Sequence, residues 1–300
     1  MDSPNPFVIG DKPPITLKYR HIDTRSQGRQ AGQFSVIGAS VRGLLHCHNS
    51  TPRDDAFSAQ FNGKWLVVAV SDGAGSRKNS RFGASFSASR LCGKLLKAVS
   101  SPNLKTRELD EIKSGIKNGI LHAFQDTHID LQKFASPEGL GFRIDELHCT
   151  LLGLALNVKT GEMGVGQIGD GLILGLDDKR EACLMVEPPS TDDPGASYFF
   201  TQDDWGKYLD TKEIPIEQVE HSNAFFLMTD GVSNDCQYGP PADILQKWAN
   251  DMDREIRLEP RLQVTAERLK RYLSNYKAQG SFDDRTLVVI YRNNKETVTS

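Results

Sequence analysis

Aspartates stand at the ends of apolar runs, and that placement carries chemistry. Asp72 follows Trp65-Leu66-Val67-Val68-Ala69-Val70, Asp170 follows Met163 to Ile168, and Asp230 follows Ala224-Phe225-Phe226-Leu227-Met228. Asp283 and Asp284 precede Thr286-Leu287-Val288-Val289-Ile290-Tyr291, and Asp54 and Asp55 end a polar loop. A carboxylate at the end of a buried strand lies at the rim of the core. Several gathered there raise one another's pKa, because like charges repel strongly at low dielectric. A shared divalent cation removes that conflict, and Mg²⁺ and Mn²⁺ favour oxygen ligands. Gly73 and Gly231 let the backbone turn sharply and let a carbonyl approach an ion. One Asp-Gly pair alone is more often a plain turn. Three such pairs, each ending an apolar run, with an acidic pair before a fourth run, point to an acidic metal site.

These carboxylates need elements to hold them. The run 65–70 reads as a strand buried on both faces. Gln33 to Arg42, Thr150 to Val158, Cys183 to Val186, 224–228 and 286–291 also read as strands. Met163 to Ile168 and Leu172 to Leu174 flank Gly169-Asp170-Gly171, which predicts a hairpin with Asp170 at its turn. Phe82, Phe86, Leu91, Leu95 and Val99 recur at helical spacing, and so do Leu109, Ile112, Ile116, Ile120 and Phe124. Ile244 to Trp248 and Val264 to Tyr276 predict two more helices. Gly43 to Arg53 reads as a loop, residues 1–33 as an irregular N-terminal arm, and about 188–213 as a flap. The order predicts an α+β domain over 34–300, with antiparallel sheet covered by helices.

Composition narrows the function. The 300 residues carry 36 Lys+Arg against 39 Asp+Glu, a balance that argues against nucleic acid as a partner. No apolar run approaches membrane-spanning length, so no membrane partner is expected. Met1 to Pro14 lacks the pattern of a secretory signal. The five cysteines are scattered and form no C-x-x-C pair, so a disulfide framework is not expected and a reducing cytoplasm is. His46-Cys47-His48 hints at zinc, but no companion Cys/His pair completes such a site. No P-loop run marks nucleotide binding.

Four segments, in order, resemble motifs of the metal-dependent serine/threonine phosphatases, the type 2C family: Val70 to Ser76, Gly169-Asp170-Gly171, Thr229 to Asn234 and Ser281 to Thr286. Gly43-Leu44-Leu45-His46 with Thr51 to Ala56, and Ser197 to Trp205, resemble a bacterial branch of that family. The resemblance spans about 34–292. It implies a four-layer α/β/β/α sandwich with a central antiparallel β-sandwich and two or three Mn²⁺ or Mg²⁺ ions. By position, Asp72 would bridge two metals and Gly73 would offer its carbonyl. Asp230 and Asp283 would serve the first metal, Asp55 the second, and Asp170 a third, weaker site.

The implied reaction is one-step hydrolysis of a phosphorylated protein at serine or threonine, with a metal-activated water attacking in line. The partners it implies are such substrates and a cognate kinase or that kinase's targets. The chain departs from the family at three places. Ala74 stands where many members have a histidine that could protonate the leaving group, which leaves that role to water, His46 or His48. His48 aligns with a phosphate-binding arginine. Arg53-Asp54 occupies a variable position before Asp55. These departures keep open a second reading, a regulatory binding module of the same fold with weak or absent catalysis.

Overall fold

Residues that alternate between two cores must both be apolar, and this explains the continuous runs. In a computed structural model of the chain, residues 24–100, 115–188, 197–234, 241–275 and 282–293 are described. The first half runs β1 (Thr24–Ala31), β2 (Phe34–Val41), α1 (Leu44–His48), β3 (Ala56–Phe61), β4 (Trp65–Ser71), α2 (Ser80–Ser100), α3 (Gly115–Ala135), β5 (Leu151–Asn157) and β6 (Met163–Ile168). There follow β7 (Leu172–Asp177), β8 (Ala182–Leu184), β9 (Asp210–Ile214), α4 (Ile216–Glu220), β10 (Ser222–Met228), α5 (Asp230–Ser233), α6 (Pro241–Ile256), α7 (Leu262–Asn275) and β11 (Arg285–Arg292).

The strands form two antiparallel sheets, ordered β1-β2-β11-β10-β7-β8 and β3-β4-β5-β6-β9. Leu66, Val68 and Val70 of β4 meet Phe225, Leu227, Val288 and Ile290 between the sheets. Val67 and Ala69, on the other face of β4, pack under Leu91, Leu95 and Phe124 of α2 and α3. Phe226, Leu287 and Val289 face outward from the first sheet, against Met252, Leu269 and Leu273 of α6 and α7. The result is the expected four-layer α/β/β/α sandwich, an α+β fold with a central antiparallel β-sandwich.

Four expectations need correction. The expected irregular arm holds strand β1 over Thr24–Ala31, paired along β2, while residues 1–23 lie outside the described residues. The sequence TRSQGRQA is polar because β1 is an edge strand, mostly open to water. Asp170 does not turn a hairpin. β6 pairs with β5 and β9, whereas β7 pairs with β10 and β8, so the chain crosses from one sheet to the other there. Gly169, at φ +105°, makes that crossing. The loop read over Gly43 to Arg53 contains the short helix α1. The flap gives way at Asp210 to edge strand β9, and 189–196 fall outside the described residues. Of the second predicted helix, the part before Gly115 likewise lies outside them.

Candidate metal centre

The site grows from strand ends at one edge of the sandwich. Asp72 follows β4, Asp170 lies between β6 and β7, Asp230 opens α5 after β10, and Asp283 precedes β11. Asp55 stands just before β3, so both sheets contribute.

Two buried side chains set the geometry. Asp284, 2% exposed, accepts the Gly43 N–H at 2.6 Å and the Asp54 N–H at 2.5 Å. Its Oδ2 also lies 2.9 Å from His46 Nδ1. One carboxylate therefore ties the start of α1 and the loop before β3 to the entry of β11. Thr229 is the second organiser. Its hydroxyl donates to Asp55 Oδ2 at 2.8 Å and accepts the Thr286 N–H at 3.0 Å. Asp72 is pinned through its backbone: its N–H donates to Thr150 Oγ1 at 3.0 Å, and its carbonyl accepts the Thr150 N–H at 2.8 Å. Gly231 is packed so closely that a Cβ would collide with the Asp284 carbonyl. That contact brings the start of α5 against the Asp283–Asp284 loop.

The electrostatics follow from crowding. Burial, then the charges of Asp55 and Asp230, push the Asp72 carboxyl well above its usual range. Burial and Asp284 do the same to Asp55. Asp170 rises to about 6, through burial and then Asp230, and Asp283 rises through loss of water. Asp54 is pushed to about 7 by burial, although His46 and Arg81 pull the other way. Asp284, in turn, holds His46 protonated up to about 9.

The structure thus brings together all five sequence-predicted carboxylates: Asp55, Asp72, Asp170, Asp230 and Asp283. Their donors are oxygens, the set that Mg²⁺ and Mn²⁺ prefer. Asp55 is fully buried, and its Oδ1 has no hydrogen-bond partner. A dication fits such a set, because it supplies the missing partner and cancels the repulsion. Among the described residues, the group of ligand atoms that lies within 4.8 Å of one another is His46, Asp283 and Asp284; the five aspartates perturb one another's charge without closing as a set to that distance.

His46 reaches the cluster, and His48 does not. Residues two apart on a helix face different ways, which leaves His48 exposed. Sequence reasoning missed Asp284 as the clamp and Thr229 as the organiser of Asp55. Their signal was only adjacency, since each sits beside an expected ligand. The aromatics of the flap anchor it. Phe199 stacks on His148 at 4.8 Å, Trp205 on His128 at 5.0 Å, and Phe200 is fully buried. Thr201 Oγ1 lies 2.6 Å from His148 Nδ1.

Residues 42–274 match the family model described as Protein phosphatase 2C. No curated protein matches the chain. Among solved structures, the chain is similar to a sex-determining protein of C. elegans, with a TM-score of 0.58 at 15% identity over 88% of this chain and 66% of that one. It is similar to a serine-threonine phosphatase 2C from Toxoplasma gondii, with a TM-score of 0.57 at 11% identity over 90% of this chain and 99% of that one. It is also similar to the serine/threonine phosphatase of S. agalactiae, with a TM-score of 0.54 at 13% identity over 87% of this chain and all of that one. At these identities the structural likeness speaks for the fold.

Proposed function

The chain belongs to the protein phosphatase 2C family, and from that premise we propose that it hydrolyses phosphoserine and phosphothreonine in proteins. The observation that carries this reading is the convergence of five aspartates from loops of both sheets, four of which, Asp55, Asp72, Asp170 and Asp283, have carboxyl pKa values raised by burial and neighbouring charge. Asp72, the Gly73 carbonyl, Asp55, Asp230 and Asp283 would hold two Mn²⁺ or Mg²⁺ ions, with Asp170 at a third position. Such ions, when bound, neutralise phosphate charge and lower the pKa of an attacking water.

The chain's own residues supply the rest. Thr229 fixes the Asp55 carboxylate by hydrogen bond. His46 carries a proton at neutral pH because Asp284 stabilises its charged form. It can give that proton to the leaving seryl or threonyl oxygen, or hold a phosphate oxygen, where Ala74 can do neither. No cysteine nucleophile is required. Burial pushes the Cys92 thiol to about 12 and the Cys149 thiol to about 11, so both stay protonated. A kinase acting on the same protein substrate would be the opposing partner.

The test is phosphate release from a chromogenic phosphomonoester and a phosphoserine peptide, with manganese, with magnesium and with a chelator. Turnover is expected with metal and not with chelator. Asp72→Asn and Asp230→Asn are each expected to reduce it by about a hundredfold or more, with circular dichroism unchanged. Full activity in either variant would overturn the assignment. Ala74 favours one second reading, a binding module with little catalysis. Manganese binding without phosphate release from any substrate would select it.

A further inference from the structure

Seven large hydrophobic side chains are exposed among the described residues, and three of them belong to two segments whose backbones are hydrogen-bonded. Leu44 is 50% exposed, Leu45 is 51% and Phe282 is 55%. The other four are distributed elsewhere: Ile129 on α3, Ile216 on α4, Leu258 after α6 and Tyr272 on α7. The Leu45 N–H donates to the Phe282 carbonyl at 2.9 Å, so the backbones of α1 and the loop before β11 lie side by side. The patch is continuous with the acidic centre. Phe282 directly precedes Asp283, and Leu45 directly precedes His46. The Asp284 carboxylate holds both segments in place, through Gly43 and His46.

Exposed apolar groups that adjoin one another at a reaction centre mark an interaction surface. An extended peptide advances about 3.3 Å per residue, so a residue next to a phosphoserine at the carboxylates falls within reach of this rim. We propose that Leu44, Leu45 and Phe282 form a docking rim for an apolar side chain flanking the phosphorylated residue, making this a phosphatase for phosphosites with a hydrophobic neighbour. This rests on the phosphatase reading and adds the substrate class to it. The occupant is a segment of the substrate protein, because the rim residues sit on the same two segments as His46 and Asp283, so a chain bound at those groups passes beside them.

The experiment uses two dye-labelled phosphoserine peptides, identical except for leucine or serine beside the phosphoserine. Their affinities for the full chain are measured by fluorescence anisotropy, with and without manganese. The wild type is expected to bind the leucine peptide about tenfold more tightly, the size expected for burying one such side chain. Leu45→Ser and Phe282→Ser should each shrink that ratio, and together bring it to within twofold of one. Both positions are exposed, so the fold should survive. Should either variant fail to fold, the wild-type ratio and Leu44→Ser decide. Equal affinities in the wild type, or an undiminished ratio in the variants, overturn the docking rim. So does sedimentation showing a wild-type dimer that Phe282→Ser splits, since the patch would then bind a second copy. The two proposals fail separately. Phosphate release with equal affinities removes the rim alone, and a tenfold ratio without phosphate release removes the hydrolase alone.

Discussion

A carboxylate whose pKa is raised in the folded protein keeps a proton that the unfolded chain would release. Asp170, at about 6, and Asp54, at about 7, are in that position. Asp54 faces His46, Asp284 and Arg81, while Asp170 faces Asp230. The sign follows from linkage. Below the ordinary carboxylate pKa, folded and unfolded chains are both protonated and nothing is lost. As pH rises from about 4 through 6 and 7, the unfolded chain ionises first, and the folded state loses stability. His46 works in the same direction, since its charged form is stabilised below about 6.5 and that contribution disappears as pH passes about 9. Glu259, held down to about 2 by Arg261, titrates below this window, whereas His128 and His148, whose pKa values burial lowers, oppose the trend at pH below about 6.5. In chelator, the thermal midpoint should therefore fall from about pH 6.5 to pH 9, by an amount on the order of a few kcal/mol in stability. A metal-free midpoint that stays level or climbs over that range would contradict the crowding of these groups. With manganese the trend should reverse, because ligand carboxylates bind metal only when deprotonated.

At the scale of elements, ion pairs and edges decide what holds the frame. Asp253 on α6 is fully buried and accepts from Arg180 Nη1 at 2.6 Å and from Arg257 Nε at 2.8 Å. Arg257 also donates to the carbonyls of Arg292 and Asn223, so it joins α6 to the ends of β11 and β10. Arg180 is half exposed and Arg257 keeps its two carbonyl acceptors, so losing the Asp253 charge costs the charged hydrogen bonds, roughly 1–3 kcal/mol. Asp253→Asn should lower stability toward urea by about that amount, while the metal-dependent rate of the protein that remains folded is unchanged. A change under 1 kcal/mol would mean that packing alone seats α6. The sequence disclosed elements unevenly, for physical reasons. β4, β10 and β11 were legible because each buries both faces, and a half-exposed helix or a loop does not give five or six apolar residues in succession. β1 and β9 were not, since edge strands such as DTKEI carry the charges that keep an edge from pairing. The crossing at Asp170 was misread because period-two alternation describes a strand and says nothing of its partner. The carboxylates were legible as ends of apolar runs. Asp284 was legible only as a neighbour, because nothing in a sequence tells a clamp from a ligand when both are aspartate.

At the scale of the whole molecule, the candidate ligands are what the two sheets share at their edge. Asp72 belongs to the sheet of β4, Asp230 and Asp283 flank strands of the other sheet, and Asp170 rides on the chain that passes between them. A dication held by this set binds the folded protein and not the unfolded one, in which these residues are far apart along the chain. Its binding energy therefore adds to folding stability as RT ln(1 + [L]/Kd), about 2.7 kcal/mol at a hundredfold excess over Kd. For a chain of this size that amounts to roughly 4–5 °C in thermal midpoint. The protein without metal also carries the repulsion among Asp55, Asp72 and Asp230, which the ion removes, so the shift should exceed what sodium chloride at equal ionic strength provides. Manganese is expected to raise the midpoint of the wild type by that amount and chelator to reverse it. Asp72→Asn should behave in the opposite way: it relieves one buried charge, so its metal-free midpoint equals or exceeds the wild type's, and its response to manganese falls to less than half. A variant that loses stability without metal and still responds fully would show that Asp72 supports the fold and lies outside the centre. The two measurements together separate a ligand from a structural carboxylate without reference to any substrate.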